Sequence, residues 1–170
     1  MSSHIEIGNR SLFPKLTHKI YLNHAAISPI SILVEQAMQK ILDDYAQKGL
    51  EAFPIYLEQR FRLRQKIAYF LQCQEQEIAF VTNTSTGVIQ IAQNFNWDAK
   101  DRILLLQGEF PTNITPWQQV ARQNDLQLEW MNADDFRTPS TAYEKLETLL
   151  QKGLRMMAVS AVQFQTGHHR

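Results

Sequence analysis

Residues 78–92, IAFVTNTSTGVIQIA, gather the residue types that hold an anion. The apolar run 78–81 predicts a short strand, and residues 84–95 predict an amphipathic helix. Between them Thr82, Thr84, Ser85 and Thr86 bring four hydroxyls, followed by Gly87. The first N–H groups of a helix have no internal partner and carry the positive end of its dipole. Hydroxyls at that point add donors, and a glycine such as Gly87 allows the backbone to approach a phosphate. The same residues also make an ordinary N-cap. Taken alone, the stretch supports both readings.

Two further loops offer complementary chemistry. Residues 108–113, GEFPTN, follow an apolar run at 102–107 and place Phe110 at its exit. An aromatic there can lie flat on a planar ring, or it can anchor the next helix in the core. Residues 163–167, QFQTG, follow the run 155–162 and supply Gln163, Gln165 and Thr166, whose amides and hydroxyl can bond a polar ligand edge. Near the N-terminus, residues 20–29 predict a short strand that meets Ala25 and Ala26 before a Ser-Pro turn. Small side chains let a ligand approach the backbone and equally allow tight packing. His24 beside them is best read as a structural donor.

These loops need a scaffold, and the chain spells one out by alternation. Strand-like runs at 78–81, 102–107, 126–131 and 155–162 are separated by helix-like runs at 84–95, 111–124 and 139–152. The last helix contains a capping-box spacing at Thr141 and Glu144 and stops at Gly153. Strands separated by single helices predict a mostly parallel sheet in a three-layer α/β architecture, with ligands beyond the carboxyl ends of the strands. Two helices precede it: residues 29–48, closed by Gly49, and a second from about Pro54 to Leu71. Arg60, Arg62, Arg64 and Lys66 on the second helix read as a solvated face.

Composition narrows the function classes. Lys+Arg and Asp+Glu both number 17, so no net field draws nucleic acid or an anionic membrane. The first ten residues lack a secretory pattern, and no apolar run approaches a bilayer span. The single cysteine, Cys73, fits a reducing compartment and reads as a small, partly buried side chain after a helix end. The expectation is a cytoplasmic protein. His168 and His169 are adjacent and in a strand would face opposite ways, so no metal site is expected.

The motifs YLNHAAISP, FVTNTSTGV, EFPTNITPW and VSAVQFQTG, in this order, resemble the N-terminal half of class V aminotransferases over about residues 20–167. These are fold type I pyridoxal-phosphate enzymes that include cysteine desulfurases and isopenicillin-N-epimerase-like proteins. The resemblance implies that Thr84, Ser85 and the Gly87 turn bind the phosphate of pyridoxal 5′-phosphate and that Phe110 stacks on its ring. Cysteine desulfurases usually have His at the Phe110 position, which leans toward the epimerase-like or lyase-like branches. Gln163, with Phe164, falls where desulfurases carry an Asn near the cofactor's phenolic oxygen. Ala25 and Ala26 match a pair beside the substrate pocket, while Asn113 and Trp117 match a segment of loop-to-helix packing. The implied chemistry is transamination, elimination or epimerisation of an amino acid through an aldimine, in a homodimer.

The same resemblance divides the chain into residues 1–50, on the small-domain side, and 51–170, the first half of the large cofactor-binding domain after about four strands. The family's Schiff-base Lys and the Asp that protonates the ring belong to later strands. Lysines 15, 19, 40, 48, 66, 100, 145 and 152 sit in no matching motif. The expectation is therefore a fragment with no catalytic residue of its own and no covalent cofactor attachment. It would be inactive alone, with unpaired sheet edges that a complementing C-terminal half or a second copy could cover. The alternatives are a non-catalytic remnant, one half of a split enzyme, or a small-anion or nucleotide-binding domain. The last lacks both common glycine-rich phosphate motifs.

Overall fold

The computed structural model describes residues 8–132, 135–136 and 138–169. The N-terminal residues read above for a secretory pattern lie largely outside that range. The chain divides into two compact units, Met1–Ala79 and Phe80–Arg170. The helices expected at 29–48 and from about Pro54 to Leu71 both fall in the first of these units.

In the first unit, helix α1 (Ile32–Lys48) starts at Ser31, whose hydroxyl accepts from the Val34 N–H. It ends at Gly49, which takes φ 52° and returns its N–H to Tyr45. Helix α2 (Phe53–Leu71) has Pro54 in its first turn and ends at Gln72 in the left-handed region. The expected strand at 20–23 does not form. Residues 23–27 instead make a turn in which Ala26 and Ile27 donate to the Asn23 carbonyl, and the Tyr21 hydroxyl donates to Ile27. Cys73 is half-buried after α2, with its N–H on the Ala68 carbonyl.

The two helices are joined by a polar staple. Asp44 is buried, and its carboxylate accepts from Lys40 at 2.6 Å, Lys48 at 2.8 Å and the Tyr56 hydroxyl at 2.6 Å. Tyr56 also stacks on Tyr45 at 5.6 Å. Apolar residues elsewhere on these helices, including Leu33, Met38, Leu42, Tyr69 and Phe70, remain exposed. The helical period therefore marks these helices without giving this unit a buried apolar cluster of its own among the described residues.

The second unit holds the core. Helix α3 (Thr84–Asn94) leads to strand β1 (Arg102–Gln107), helix α4 (Thr115–Asn124), strand β2 (Gln127–Asn132), helix α5 (Pro139–Gln151) and strand β3 (Leu154–Ala158). The strands form a parallel sheet in the order β2-β1-β3. Central β1 is buried on both faces. Ile103 and Leu105 pack with Ala92, Trp117 and Val120 from α3 and α4, while Leu104 and Leu106 pack with Ala142 and Leu149 from α5. A three-layer α/β architecture follows directly from that strand.

Three expectations shift here. Residues 78–81 are extended at Ile78 but join no ladder among the described residues, so the sheet has three strands and not four. The final strand stops at Ala158, four residues short, because the Ser160 N–H turns to the Glu109 side chain and Val162 bridges His169 antiparallel. Helix α5 begins at Pro139 with Thr138 as its N-cap, so Thr141 lies inside the helix and forms no capping box.

Hydrogen bonds from Lys40, Lys48 and Tyr56, in that order of weight, hold Asp44 well below the usual carboxylate range. Its bond to Asp44, then burial, raises Tyr56 to about 12. The stability from Asp44 is present above its ordinary value of 3.8 and is lost as pH falls through its depressed folded value. That from Tyr56 is present below 10.0 and is lost as pH rises through about 12. A phenolate absorbance titration should show one tyrosine ionising near 12, and Asp44→Asn should bring it back toward 10.0. In the second unit, Leu105→Ala should cost about 2–5 kcal/mol in denaturant unfolding, since it opens a cavity in a doubly covered strand.

Candidate functional site

The carboxyl ends of β1 and β3 and the start of α3 carry the residues singled out in the second unit. At the start of α3, the N-cap is Asn83, fully extended at φ −165°, ψ 169°, with its side chain accepting the Thr86 N–H at 2.8 Å. The Gly87 N–H bonds the Asn83 carbonyl at 3.2 Å. Both the third and fourth N–H groups of the helix are therefore satisfied internally. Those of Thr84 and Ser85 have no intrahelical acceptor and make no hydrogen bond among the described residues. Asn83 thus caps the helix, and the Thr84 and Ser85 N–H groups keep no partner among the described residues.

The hydroxyls sort in the same way. Thr82 donates to Thr86 at 3.2 Å, and Ser85 bonds Thr112 at 2.8 Å, linking the turn to the loop after β1. The Thr84 hydroxyl is exposed and bonds nothing among the described residues. Gly87 lies within the helix with a negative φ, and a Cβ there would meet Val81 Cγ2 at 3.4 Å, an ordinary contact. Its N–H is already engaged with the Asn83 carbonyl.

Phe110 follows the turn at Gly108, which takes φ 79°, a conformation that favours glycine. The ring is half-exposed, which removes the core-anchor reading, and it meets Phe164 edge-to-face at 5.3 Å and 88°. Asn113 N–H donates to the Phe110 carbonyl at 2.8 Å, closing a short 3₁₀ turn over Pro111–Asn113. Buried Trp117 donates to the Asn113 side chain at 3.4 Å, the loop-to-helix packing that was expected.

Gln163 is buried and turned into its own loop. Its Nε2 donates to the Gly108 carbonyl at 3.0 Å. Its Oε1 accepts from the N–H groups of Gln165 and Thr166, both at 2.6 Å, and from the Thr166 hydroxyl at 3.1 Å. One Nε2 hydrogen is all that remains for a ligand. Beside it, buried Glu109 accepts from the Ser160 N–H at 3.2 Å and the Ser160 hydroxyl at 2.5 Å. Glu109, Thr112 and Ser160 carry no obvious sequence signal. The clue available was a carboxylate placed directly after a strand-exit glycine.

Ala25 and Ala26 lie in the first unit, exposed in the 23–27 turn, with His24 Nδ1 against the Ser28 hydroxyl at 3.2 Å. No cluster of three or more metal-ligating side chains occurs among the described residues. No helix among them is long and apolar enough to cross a membrane.

The helix-start donors can be tested without touching the core. Proline suits the first helical position, and extended Asn83 suits a residue before proline. Thr84→Pro should therefore keep the fold while deleting one donor and the hydroxyl, weakening phosphate binding about tenfold or more. Thr84→Val, which keeps the N–H, should fall between the two in a calorimetric titration with inorganic phosphate. Gly87→Ala should leave that affinity unchanged and add about 0.5–1 kcal/mol of helix stability.

Known proteins resemble this chain in sequence and fold. A probable cysteine desulfurase of Pyrococcus abyssi is 27% identical over 159 residues, covering 90% of this chain and 39% of its own length. One from Methanothermobacter thermautotrophicus is 27% identical over 126 residues, covering 72% of this chain and 31% of its own. Among solved structures, a cystine C–S lyase complexed with its product cysteine persulfide superposes with a TM-score of 0.81 at 21% identity, covering 92% of this chain and 42% of that one. A lyase mutant with glycine covalently linked to its PLP cofactor gives 0.75 at 21% identity, covering 88% and 40%. The chain therefore spans well under half the length of these proteins. The sequence pattern of the family described as Aminotransferase class-V matches residues 20–170, and the chain belongs to that family.

Proposed function

We propose that this chain supplies the phosphate-holding and ring-holding part of a pyridoxal 5′-phosphate enzyme that acts on an amino acid. The observation that carries this reading is the pair of donors at Thr84 and Ser85, tied through the Ser85–Thr112 bond to the loop bearing Phe110. The donor set fits the cofactor at both ends. Two outward N–H groups at the start of an 11-residue helix suit a phosphate, and a half-exposed aromatic suits a pyridine ring. When bound, the cofactor supplies a ring that draws electron density from the α-carbon of an amino-acid substrate.

The chain's own residues would bind and orient. Thr84 and Ser85 hold the phosphate; Phe110 fixes the ring plane and excludes water from one face. Gln163 has a single hydrogen to offer and otherwise shapes the loop. Phe110 carries no titratable proton, so that position offers packing and no acid–base group. This supports elimination or epimerisation over sulfur transfer, even though the relatives named above include probable desulfurases.

In the second unit, Lys100 and Lys152 precede β1 and β3 and so lie at the amino end of the sheet, away from Phe110. Lys145 is held by Asp135 at 2.8 Å, a contact that also lowers the Asp135 pKa. None of these three is proposed as a covalent anchor, and by this reading the chain alone retains the cofactor reversibly and does not turn over. The Ala25–Ala26 turn is proposed to border the substrate pocket in the whole enzyme, a homodimer in the cytoplasm.

The test is a titration with pyridoxal 5′-phosphate, followed by its absorbance, with inorganic phosphate as competitor. Phe110→Ala should weaken the cofactor about tenfold while leaving inorganic phosphate unaffected. Equal binding of pyridoxal 5′-phosphate and inorganic phosphate by the unaltered chain would reduce the site to a small-anion pocket.

A further inference from the structure

We propose that Glu109 is a positioning residue, a buried carboxylate that clamps the exit of β1 to the exit of β3 and thereby sets the Phe110 ring. The inference rests on the cofactor reading above for its purpose, though not for its geometry. β1 and β3 are neighbours in the sheet, and both chains leave it at the same end. A charge in such a place costs free energy unless its oxygens are bonded. Here one residue, Ser160, reaches both: its N–H bonds Oε1 and its hydroxyl bonds Oε2, across 51 residues of sequence.

The clamp is the centre of three cross-links between these two loops. On one side the Gln163 amide donates to the Gly108 carbonyl, next to Glu109 in the chain. On the other, Phe110 meets Phe164 edge-to-face. Phe110 is half-exposed, so its ring direction depends on Phe164 and on the backbone on either side. The N-terminal side is Glu109. The far side is fastened at Thr112, which bonds Ser85 beside the phosphate donors. Releasing Glu109 should therefore free the ring while leaving the start of α3 as it was.

The chemistry of the clamp also specifies the residue type. Two donors from Ser160 require two acceptors, and a carboxylate offers them. A glutamine keeps the shape and, because a hydroxyl both donates and accepts, can still bond both Ser160 groups, whereas an alanine removes both acceptors and an aspartate falls one methylene short. On the Ser160 side, threonine retains both donors and alanine keeps only the N–H.

The experiment uses the whole chain and two readouts. The first, taken without cofactor, is the ring-current shift of the Phe110 and Phe164 protons in an NMR spectrum. The second compares affinity for pyridoxal 5′-phosphate with that for inorganic phosphate. Glu109→Ala should collapse the ring-current shifts and weaken pyridoxal 5′-phosphate about tenfold, with inorganic phosphate unchanged. Ser160→Ala should act in the same direction, and Ser160→Thr should restore both readouts. If Glu109→Ala does not fold, the two Ser160 variants decide the matter. Retained shifts in Glu109→Ala or Ser160→Ala, or an equal loss of both ligands, would overturn the proposal. Should the unaltered chain fail to distinguish pyridoxal 5′-phosphate from inorganic phosphate, the cofactor reading fails, and the ring-current series still judges the clamp.

Discussion

Strand β1 has no face to give to water. Four consecutive residues, Ile103 to Leu106, are fully enclosed, so helices must cover the sheet on both sides and neighbouring strands must flank it. Parallel neighbours satisfy this, because each returning helix lands on one face or the other. With β1 in the centre, its exit at Gly108 is the point where the loops of adjacent strands converge. The candidate site lies there because that is where backbone leaves the sheet with polar groups still to be satisfied. Arg102, paired with Glu129 on β2 and donating to the Lys152 carbonyl before β3, ties the opposite end of all three strands. One end of the sheet is thus closed by charge pairing, and the other is open for loops to build on.

Much of this was legible in the sequence because the signals were local. The limits of β1 match the apolar run, and α3 and α5 match their runs to within a residue, since apolar period and flanking turn residues agree there. The misreadings share a cause in long-range contacts. Residues 78–81 have the composition of a strand, but a ladder needs a partner, and composition does not supply one. The run at 155–162 looked like a single strand until Ser160, 51 residues from Glu109, took its backbone out of register. Thr141 and Glu144 have the spacing of a capping box, yet Thr138 and Pro139 begin the helix earlier.

The site divides in the same manner. The unpartnered N–H groups of Thr84 and Ser85 could be read from sequence because helix starts impose such donors locally. Gly87 lies past the helix start because Asn83, and not a hydroxyl, takes the cap. Gln163 showed the right chemistry, but its direction is fixed by the Gly108 carbonyl across the sheet. On α1 and α2 the apolar period gave the helices without their cover. Leu42 and Phe70 fit that period yet lie open, while the buried centre between the helices is a carboxylate, Asp44.

A ligand with a phosphate at one end and a planar ring at the other poses a spacing problem, since two good half-sites bind it well only at the correct separation. Under the proposed cofactor reading, short bonds between loops set that separation. The helix start carries the two outward N–H groups, and its second residue bonds Thr112 directly. Two residues before Thr112 stands the aromatic, and one before that the buried carboxylate anchored to Ser160. The helix start, Phe110 and the sheet edge are thus consecutive points on one hydrogen-bonded path. Distance along it is set by bonds of 2.5–2.8 Å and a few residues of backbone. A half-exposed Phe110 can hold a defined direction under these conditions because the segment carrying it is fixed on both sides.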